Sequence, residues 1–193
     1  LKKSDWKAIA QLLSSTCDVL VAAGADFIIC PDNTVHEALN HRNLQTQAPW
    51  LHIAETVSAE AQSQNFKRLA ILGTKYLMEG PVYRDQLVPM GLHPITPNLE
   101  ERNHINSIIF DRLVFNRVNK KDLLDLLSII ERMQTEEKCD AVVLGCTELP
   151  LILNDEVSPL PTLDSTRLLA RAAIREATAS AMKLASLTAP PRC

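Results

Sequence analysis

The chain has 193 residues, 46% of them apolar, and a formal net charge of -3. That balance belongs to a globular protein with room for one large domain or two small lobes, each with its own core. The basic pairs Lys2-Lys3, Lys67-Arg68 and Lys120-Lys121 are short and far apart, which argues against nucleic acid as a partner. No apolar run approaches the roughly 20 residues of a membrane helix. Leu1 to Trp6 leads straight into an amphipathic helix pattern and not into a signal peptide. The five cysteines, Cys17, Cys30, Cys139, Cys146 and Cys193, are odd in number and lack metal-ligand spacing. They point to reduced thiols in a cytoplasmic protein, with no metal expected.

Helix and strand patterns alternate along the chain, the signature of parallel sheets with helices on their faces. Residues 5–23 place Trp6, Ile9, Leu12, Leu13, Val19 and Leu20 mainly on one helical face, and Gly24 ends that helix. Phe27 to Cys30 reads as a short buried strand stopped by Pro31, which has no N–H for a ladder. Asp32-Asn33-Thr34 opens a helix running to about Asn40, and Leu51 to Ile53 reads as a short strand before a helix over 54–65. Leu69 to Leu72 is strand-like; a helical stretch to about Met90 follows Gly73-Thr74, interrupted by Pro81. Leu92 to Ile95 reads as a strand closed by Pro97, then helices over 99–115 and 120–136 are broken near Asn116 to Asn119. Ala141 to Leu144 is the clearest buried strand, with Gly145-Cys146-Thr147-Glu148 at its carboxyl end. The last helix spans about 165–186, and the tail through Pro190-Pro191 is expected to be loose.

In open parallel α/β sheets, ligands bind beyond the carboxyl ends of the strands. Two polar triplets occupy that place, Asp32-Asn33-Thr34 and Cys146-Thr147-Glu148. Each precedes an expected helix start, whose free backbone N–H groups favour an anion and would lower the pKa of a cysteine thiol. A small carboxylate held between the two strand ends suits this arrangement.

Ala23-Gly24-Ala25-Asp26-Phe27, leading to Asn33-Thr34 and His36, resembles the first signature of the aspartate/glutamate racemase family, and Val143 to Pro150 resembles the second. Three further segments agree with the family in order and spacing. These are Leu72-Gly73-Thr74 with Tyr83, Glu100-Glu101-Arg102 with Ile105-Asn106 and Ile108 to Phe110, and Leu160-Pro161 with Asp164-Ser165-Thr166. The resemblance therefore spans nearly the whole chain. Glu148 favours the aspartate-racemase branch, because similar glutamate racemases usually carry His there.

The resemblance implies an α/β fold of two lobes, each a short parallel sheet flanked by helices, with the active site in the cleft between them. The first lobe is expected to hold residues 1–65 and 160–193, and the second residues 66–159. The implied reaction is cofactor-free inversion at Cα: one cysteine thiolate removes the α-proton while a second cysteine, on the opposite face, delivers one. Aimed donors in a dry cleft stabilise the developing charge. Cys146 and Asp32 are the expected catalytic residues, with Asn33, Thr34, Thr74, Thr147, Glu148 and Arg117 holding a small acidic amino acid or dicarboxylate. No cofactor and no membrane partner is expected. A homodimer is, since such proteins usually pair and an exposed sheet edge encourages association.

The chain departs from the family pattern at four places. Asp32 stands where the first signature has Cys before the Asn, and Cys30 lies upstream. The strand, Gly-rich loop and second strand with which family members begin are absent ahead of Ser4. Leu77 precedes Met78 where members often have Thr, and Arg117 falls near the place of a family lysine. Asp32 can serve as the second acid/base if burial and a neighbouring thiolate raise its carboxyl pKa, although a carboxylate is a weaker base than a thiolate. Two other classes stay open. One is a single-cysteine lyase or isomerase similar to arylmalonate decarboxylases, in which Cys146 alone protonates a planar intermediate. The other is a non-catalytic descendant that binds a small acid or a partner subunit. Plainer roles also stand: Asp32 as a helix N-cap, His36 as a packing or solvated histidine, Glu148 as an acceptor for backbone donors, and Cys17, Cys30 and Cys139 as small core hydrophobes.

Overall fold

The computed structural model describes residues 5–41 and 48–188, with side chains described for 5–39 and 48–179. Lys2-Lys3, Pro190-Pro191 and Cys193 lie outside the described residues. The first helix, α1 (Trp6–Ala22), is capped by Asp5, whose carboxylate accepts from the Ala8 N–H at 3.0 Å. Gly24, at a φ of +91°, turns the chain out of the helix, a conformation that glycine adopts without a steric penalty. Strand β1 (Ile28–Ile29) follows and pairs in parallel with β2 (Trp50–Leu51), Ile28 opposite Trp50 and Ile29 opposite Leu51.

Three local expectations are corrected by the structure. The face of α1 turned inward carries Ala10 and Cys17, while Leu12 and Val19 are 67% and 68% exposed. A two-stranded sheet covers only a narrow stripe of a helix, and small side chains allow that stripe to approach closely. The segment after Asp32 is a 3-10 stretch, Thr34–His41, and not an α-helix. Ile53, expected in the short strand, is instead the first residue of α2 (Ile53–Ser63), for which the His52 ring accepts from the Ala54 N–H at 3.2 Å.

The second sheet is larger. It contains β3 (Arg68–Leu72), β4 (His93–Ile95), β5 (Ala141–Leu144) and β6 (Thr162–Asp164), in the order β4-β3-β5-β6 and parallel throughout. Strand β6, expected after the return to the first lobe, is hydrogen-bonded to β5 within this sheet. The side chains alternate between two cores, as the pleat requires. Leu69, Ile71, Ala141 and Val143 pack with Val57, Ala61, Leu87 and Leu92 on one face. Ala70, Leu72, Val142 and Leu144 pack with Ile105, Ile109, Leu126 and Ile130 on the other. Burial on both faces explains why β5 reads as an uninterrupted apolar run.

The connecting helices follow local signals. α3 (Lys75–Glu79) and α4 (Val82–Leu87) are separated at Gly80-Pro81, the break expected from Pro81. α5 (Leu99–Asp111) starts with a capping box between Asn98 and Glu101, which satisfies two N–H groups reciprocally. A 3-10 turn over Leu113–Phe115 and the left-handed Asn116, φ 55°, separate it from α6 (Lys120–Thr135). The last helix, α7 (Ser165–Thr188), leaves β6 directly and packs along α2, so it joins the two sheets. Among the described residues no helix is long and apolar enough to cross a membrane.

Candidate active site

The parallel register sets the carboxyl ends of β3 and β5 side by side, and hydrogen bonds from Asn33 and Thr34 hold the loop after β1 against that end of the sheet. Asp32 is exposed, and its Oδ1 accepts from the backbone N–H of Thr34 at 2.8 Å and of Val35 at 3.3 Å. This is an Asx-type turn, so Asp32 performs the capping role while its carboxylate faces solvent. The burial expected for this side chain is not present.

Asn33 is 3% exposed and held at both ends of its amide. Its Nδ2 donates to Ser165 Oγ at 2.9 Å, and its Oδ1 accepts from the Tyr83 hydroxyl at 2.6 Å. Ser165 Oγ in turn donates to the Leu144 carbonyl at 2.8 Å. One buried network thus ties the loop after β1 to α4, to the start of α7 and to the end of β5. A second tie is the 3.0 Å contact between the Thr34 and Thr74 hydroxyls. Thr74 also caps α3, its Oγ1 accepting from the Leu77 N–H at 3.2 Å.

Cys146 is half-buried just beyond β5. Its thiol donates to Glu148 Oε2 at 2.9 Å, and the Thr147 hydroxyl donates to the same oxygen at 2.8 Å. Burial, the hydrogen bond to a carboxylate, and the charges of Glu148 and Asp32 push the thiol up to about 12. The expected lowering is therefore corrected: Cys146 rests as a thiol. Only a single 3-10 turn, Leu149–Leu151, follows it, too short to supply a helix N-terminal field, and the carboxylate stabilises the S–H form. Burial alone would raise the Glu148 carboxyl, but the side-chain hydrogen bonds from Cys146 and Thr147 hold it below its ordinary range.

His36 is a bracket for this region. Its Nε2 receives the Trp50 indole N–H and the Ile53 N–H, both at 3.3 Å, so Nδ1 carries the proton and donates to the Asp32 carbonyl at 2.7 Å. Burial pushes its pKa down, consistent with a neutral ring. Arg117 does not join the others. Its guanidinium lies over the Phe115 ring, 5.4 Å from the centroid, and it makes no hydrogen bond with the other expected site residues among those described.

Asp32, Asn33, Thr34, Thr74, Cys146, Thr147 and Glu148 are thus linked directly or through their charges, while Arg117 stands apart. The positions that residue chemistry alone missed are the supports Tyr83 and Ser165. Both lie in segments that resemble the family, but a link across 50 and 132 residues of chain leaves no local signal. Among the described residues no group of three or more His, Cys, Asp or Glu side chains is placed to hold a metal ion.

Gly73 and Gly145 let the ends of β3 and β5 close up. The Gly145 N–H donates to the Leu72 carbonyl at 2.7 Å. A Cβ on Gly145 would lie 2.5 Å from Leu77 Cδ2 and 2.8 Å from the Leu72 carbonyl oxygen. One of those neighbours is backbone and cannot swing away. Gly145→Ala is expected to destabilise the fold by about 1–3 kcal/mol and to displace Cys146, which urea unfolding and thiol alkylation would register together.

Residues 1–173 match the family described as Asp/Glu/hydantoin racemase. The structure is similar to that of a candidate Asp/Glu racemase from Yersinia pestis, at 30% identity and a TM-score of 0.84, over 92% of this chain and 77% of that one. It is also similar to an aspartate racemase homologue from Pyrococcus horikoshii OT3, at 30% identity and a TM-score of 0.81, over 90% and 76% of the two chains. In sequence, 155 residues are 24% identical to the broad specificity amino-acid racemase RacX of Bacillus subtilis (strain 168), covering 80% of this chain. The matched region spans 66% of the length of RacX.

Proposed function

Because the chain belongs to the Asp/Glu/hydantoin racemase family, we propose that it inverts a small acidic amino acid at Cα without PLP or any other cofactor. Aspartate, glutamate or a close relative is the substrate. The observation that carries this reading is the Cys146 thiol at the end of β5, hydrogen-bonded to Glu148, with the Asp32 carboxylate near enough for its charge to act on the sulfur. In the resting protein the proton sits on sulfur, so Cys146 is the donor and Asp32 the acceptor. Asp32 takes the α-proton from one face of the substrate and Cys146 delivers its own to the other. In the reverse direction the thiolate so formed is the base, and the Glu148 backbone N–H is the donor that favours it. Thr34, Thr74 and Thr147 supply hydroxyls for the substrate carboxylates, in the cleft between the two lobes.

Ellipticity of L-aspartate and L-glutamate solutions tests this reading. It should decay toward zero at constant amino-acid concentration, with no cofactor added. Ellipticity that stays constant over a day beside folded protein would overturn it.

One observation favours a second reading. Asp32 is exposed and its Oδ1 is committed to backbone N–H groups, which suits chemistry in which Cys146 alone protonates a planar intermediate. Release of carbon dioxide from an arylmalonate, without racemisation of aspartate, would select that reading. A cytoplasmic homodimer belongs to the proposal as well; the exposed Leu12, Val19 and Ile29 on α1 and β1 support association.

The Cys146–Glu148 bond has its own consequence. Removing the carboxylate charge in Glu148→Gln lowers the thiol pKa, and each unit of lowering raises the thiolate fraction about tenfold. Iodoacetamide should therefore alkylate Cys146 faster in Glu148→Gln than in the parent protein at pH 8. Equal rates would show that Glu148 does not hold the proton on sulfur.

A further inference from the structure

Asn33, Tyr83 and Ser165 are polar side chains that are each at most 3% exposed. Burying such groups costs free energy unless each finds a partner, and here the partners form a relay. The Tyr83 hydroxyl donates to Asn33 Oδ1 at 2.6 Å, Asn33 Nδ2 to Ser165 Oγ at 2.9 Å, and the Ser165 hydroxyl to the Leu144 carbonyl at 2.8 Å. All three bonds run in one sense, so each polarises the next.

The relay runs between the two acid/base groups. Asn33 directly follows Asp32, and Leu144 ends β5 two residues ahead of Cys146. A second tie, from Thr34 to Thr74, fastens the same loop beyond the end of β3. The bonds at Asp32 itself are local to the loop: its Oδ1 accepts from the Thr34 and Val35 N–H groups, and its carbonyl from His36. Its place relative to β5 is therefore set through Asn33. Buried and bonded at both ends of its amide, Asn33 is not presented to a ligand in the cleft.

We propose that Asn33 is a positioning residue and not a substrate ligand, and that Tyr83 and Ser165 act through it to hold Asp32 at its working separation from Cys146. The kinetic part of this inference rests on the racemase reading, and the geometric part does not. Proton transfer on opposite faces of one carbon fixes the gap between acid and base within tight limits. A misplacement of about 1 Å costs about 10²-fold in rate.

Ser165→Ala and Tyr83→Phe test this at a temperature where thermal melts show both variants folded. In aspartate racemisation kcat should fall at least about tenfold while KM stays within about twofold. Alkylation of Cys146 by iodoacetamide, read by peptide mass spectrometry, reports the relation of Asp32 to the sulfur without any activity. Asp32→Asn removes a charge that acts on that sulfur. It should speed alkylation at least about twofold in the parent protein and add nothing in Ser165→Ala. An inactive parent protein would remove the racemase reading and leave the alkylation rates to decide. An undiminished kcat in an active protein, or a KM raised beyond that limit, would overturn the proposal. So would an Asp32→Asn acceleration that is absent from the parent protein or survives in Ser165→Ala.

Discussion

Cys146→Ala is expected to abolish inversion at Cα, lowering it about 10²- to 10⁴-fold, while the fold is retained. General acid–base groups contribute factors of about 10² to 10⁴, and in the proposed reaction Cys146 acts in both directions of the inversion. Its side chain is half-buried at the edge of a core cluster and hydrogen-bonds to Glu148, so its truncation leaves a small gap at that edge and the buried residues of the cluster in place. Asp32→Asn separates the two faces. It keeps the turn, because the Asn oxygen still accepts from the Thr34 and Val35 N–H groups, but it removes the acceptor. Inversion should fall about as far as in Cys146→Ala, and exchange of both enantiomers with it, because the proton held on sulfur leaves no base; in Cys146→Ala exchange of the enantiomer whose α-proton faces Asp32 should persist. Chiral chromatography of L- and D-aspartate, together with deuterium incorporation into each, reads both outcomes. Undiminished inversion in Asp32→Asn would remove Asp32 from the mechanism.

The second large effect is on stability in mild acid. Burial and then the neighbouring His36 hold His52 down to about 3, and burial lowers His36 as well. The two rings lie edge to face, 4.6 Å between centroids, and His36 is tied on both nitrogens. The folded-state values lie below the ordinary histidine value of about 6.5. Between those values the unfolded chain binds protons that the folded chain does not. Stability is therefore complete above about pH 6.5 and is lost as pH falls below it. By pH 5 the loss from His52 alone reaches about 2 kcal/mol, and His36 adds to it in the same direction. Urea midpoints measured at pH 7 and pH 5 check this, a window that lies above ordinary carboxylate titration. His52→Asn keeps the α2 cap, a role Asn fills well, and should flatten the dependence. A flat profile in the parent protein, or an equally steep one in the variant, would contradict the assignment.

The elements that were legible are those whose determinants are local. β5 announces itself because both faces are buried, and the α3–α4 break follows from Pro81. The Asn98 and Glu101 box marks the start of α5. What escaped was decided by tertiary contact. Nothing near Leu12 or Val19 says that the sheet under α1 is only two strands wide, so an apolar helix face was expected to be buried and is not. The 3-10 form of Thr34–His41 arises where His36 is held between Asp32, Trp50 and Ile53, two of which lie beyond the segment in sequence.

At the site, strand-end logic gathers Asp32, Asn33, Thr34, Cys146, Thr147 and Glu148 without any contact being visible, and the family resemblance adds Thr74. The resemblance also offered Arg117, whose guanidinium lies over the ring of its near neighbour Phe115. The sense of the Cys146 shift is the most instructive miss. A strand end followed by a helix favours thiolate, yet burial of the sulfur, and then the Glu148 carboxylate that folds back onto it, reverse the outcome. Only the conformation of that turn decides between the two.

Proton NMR of L-aspartate with the unmodified protein in deuterated water tests the central claim most directly. The Cα–H resonance should disappear as solvent deuterium enters and the D-enantiomer accumulates. A Cα–H signal that persists undiminished beside folded protein would contradict cofactor-free inversion by this chain.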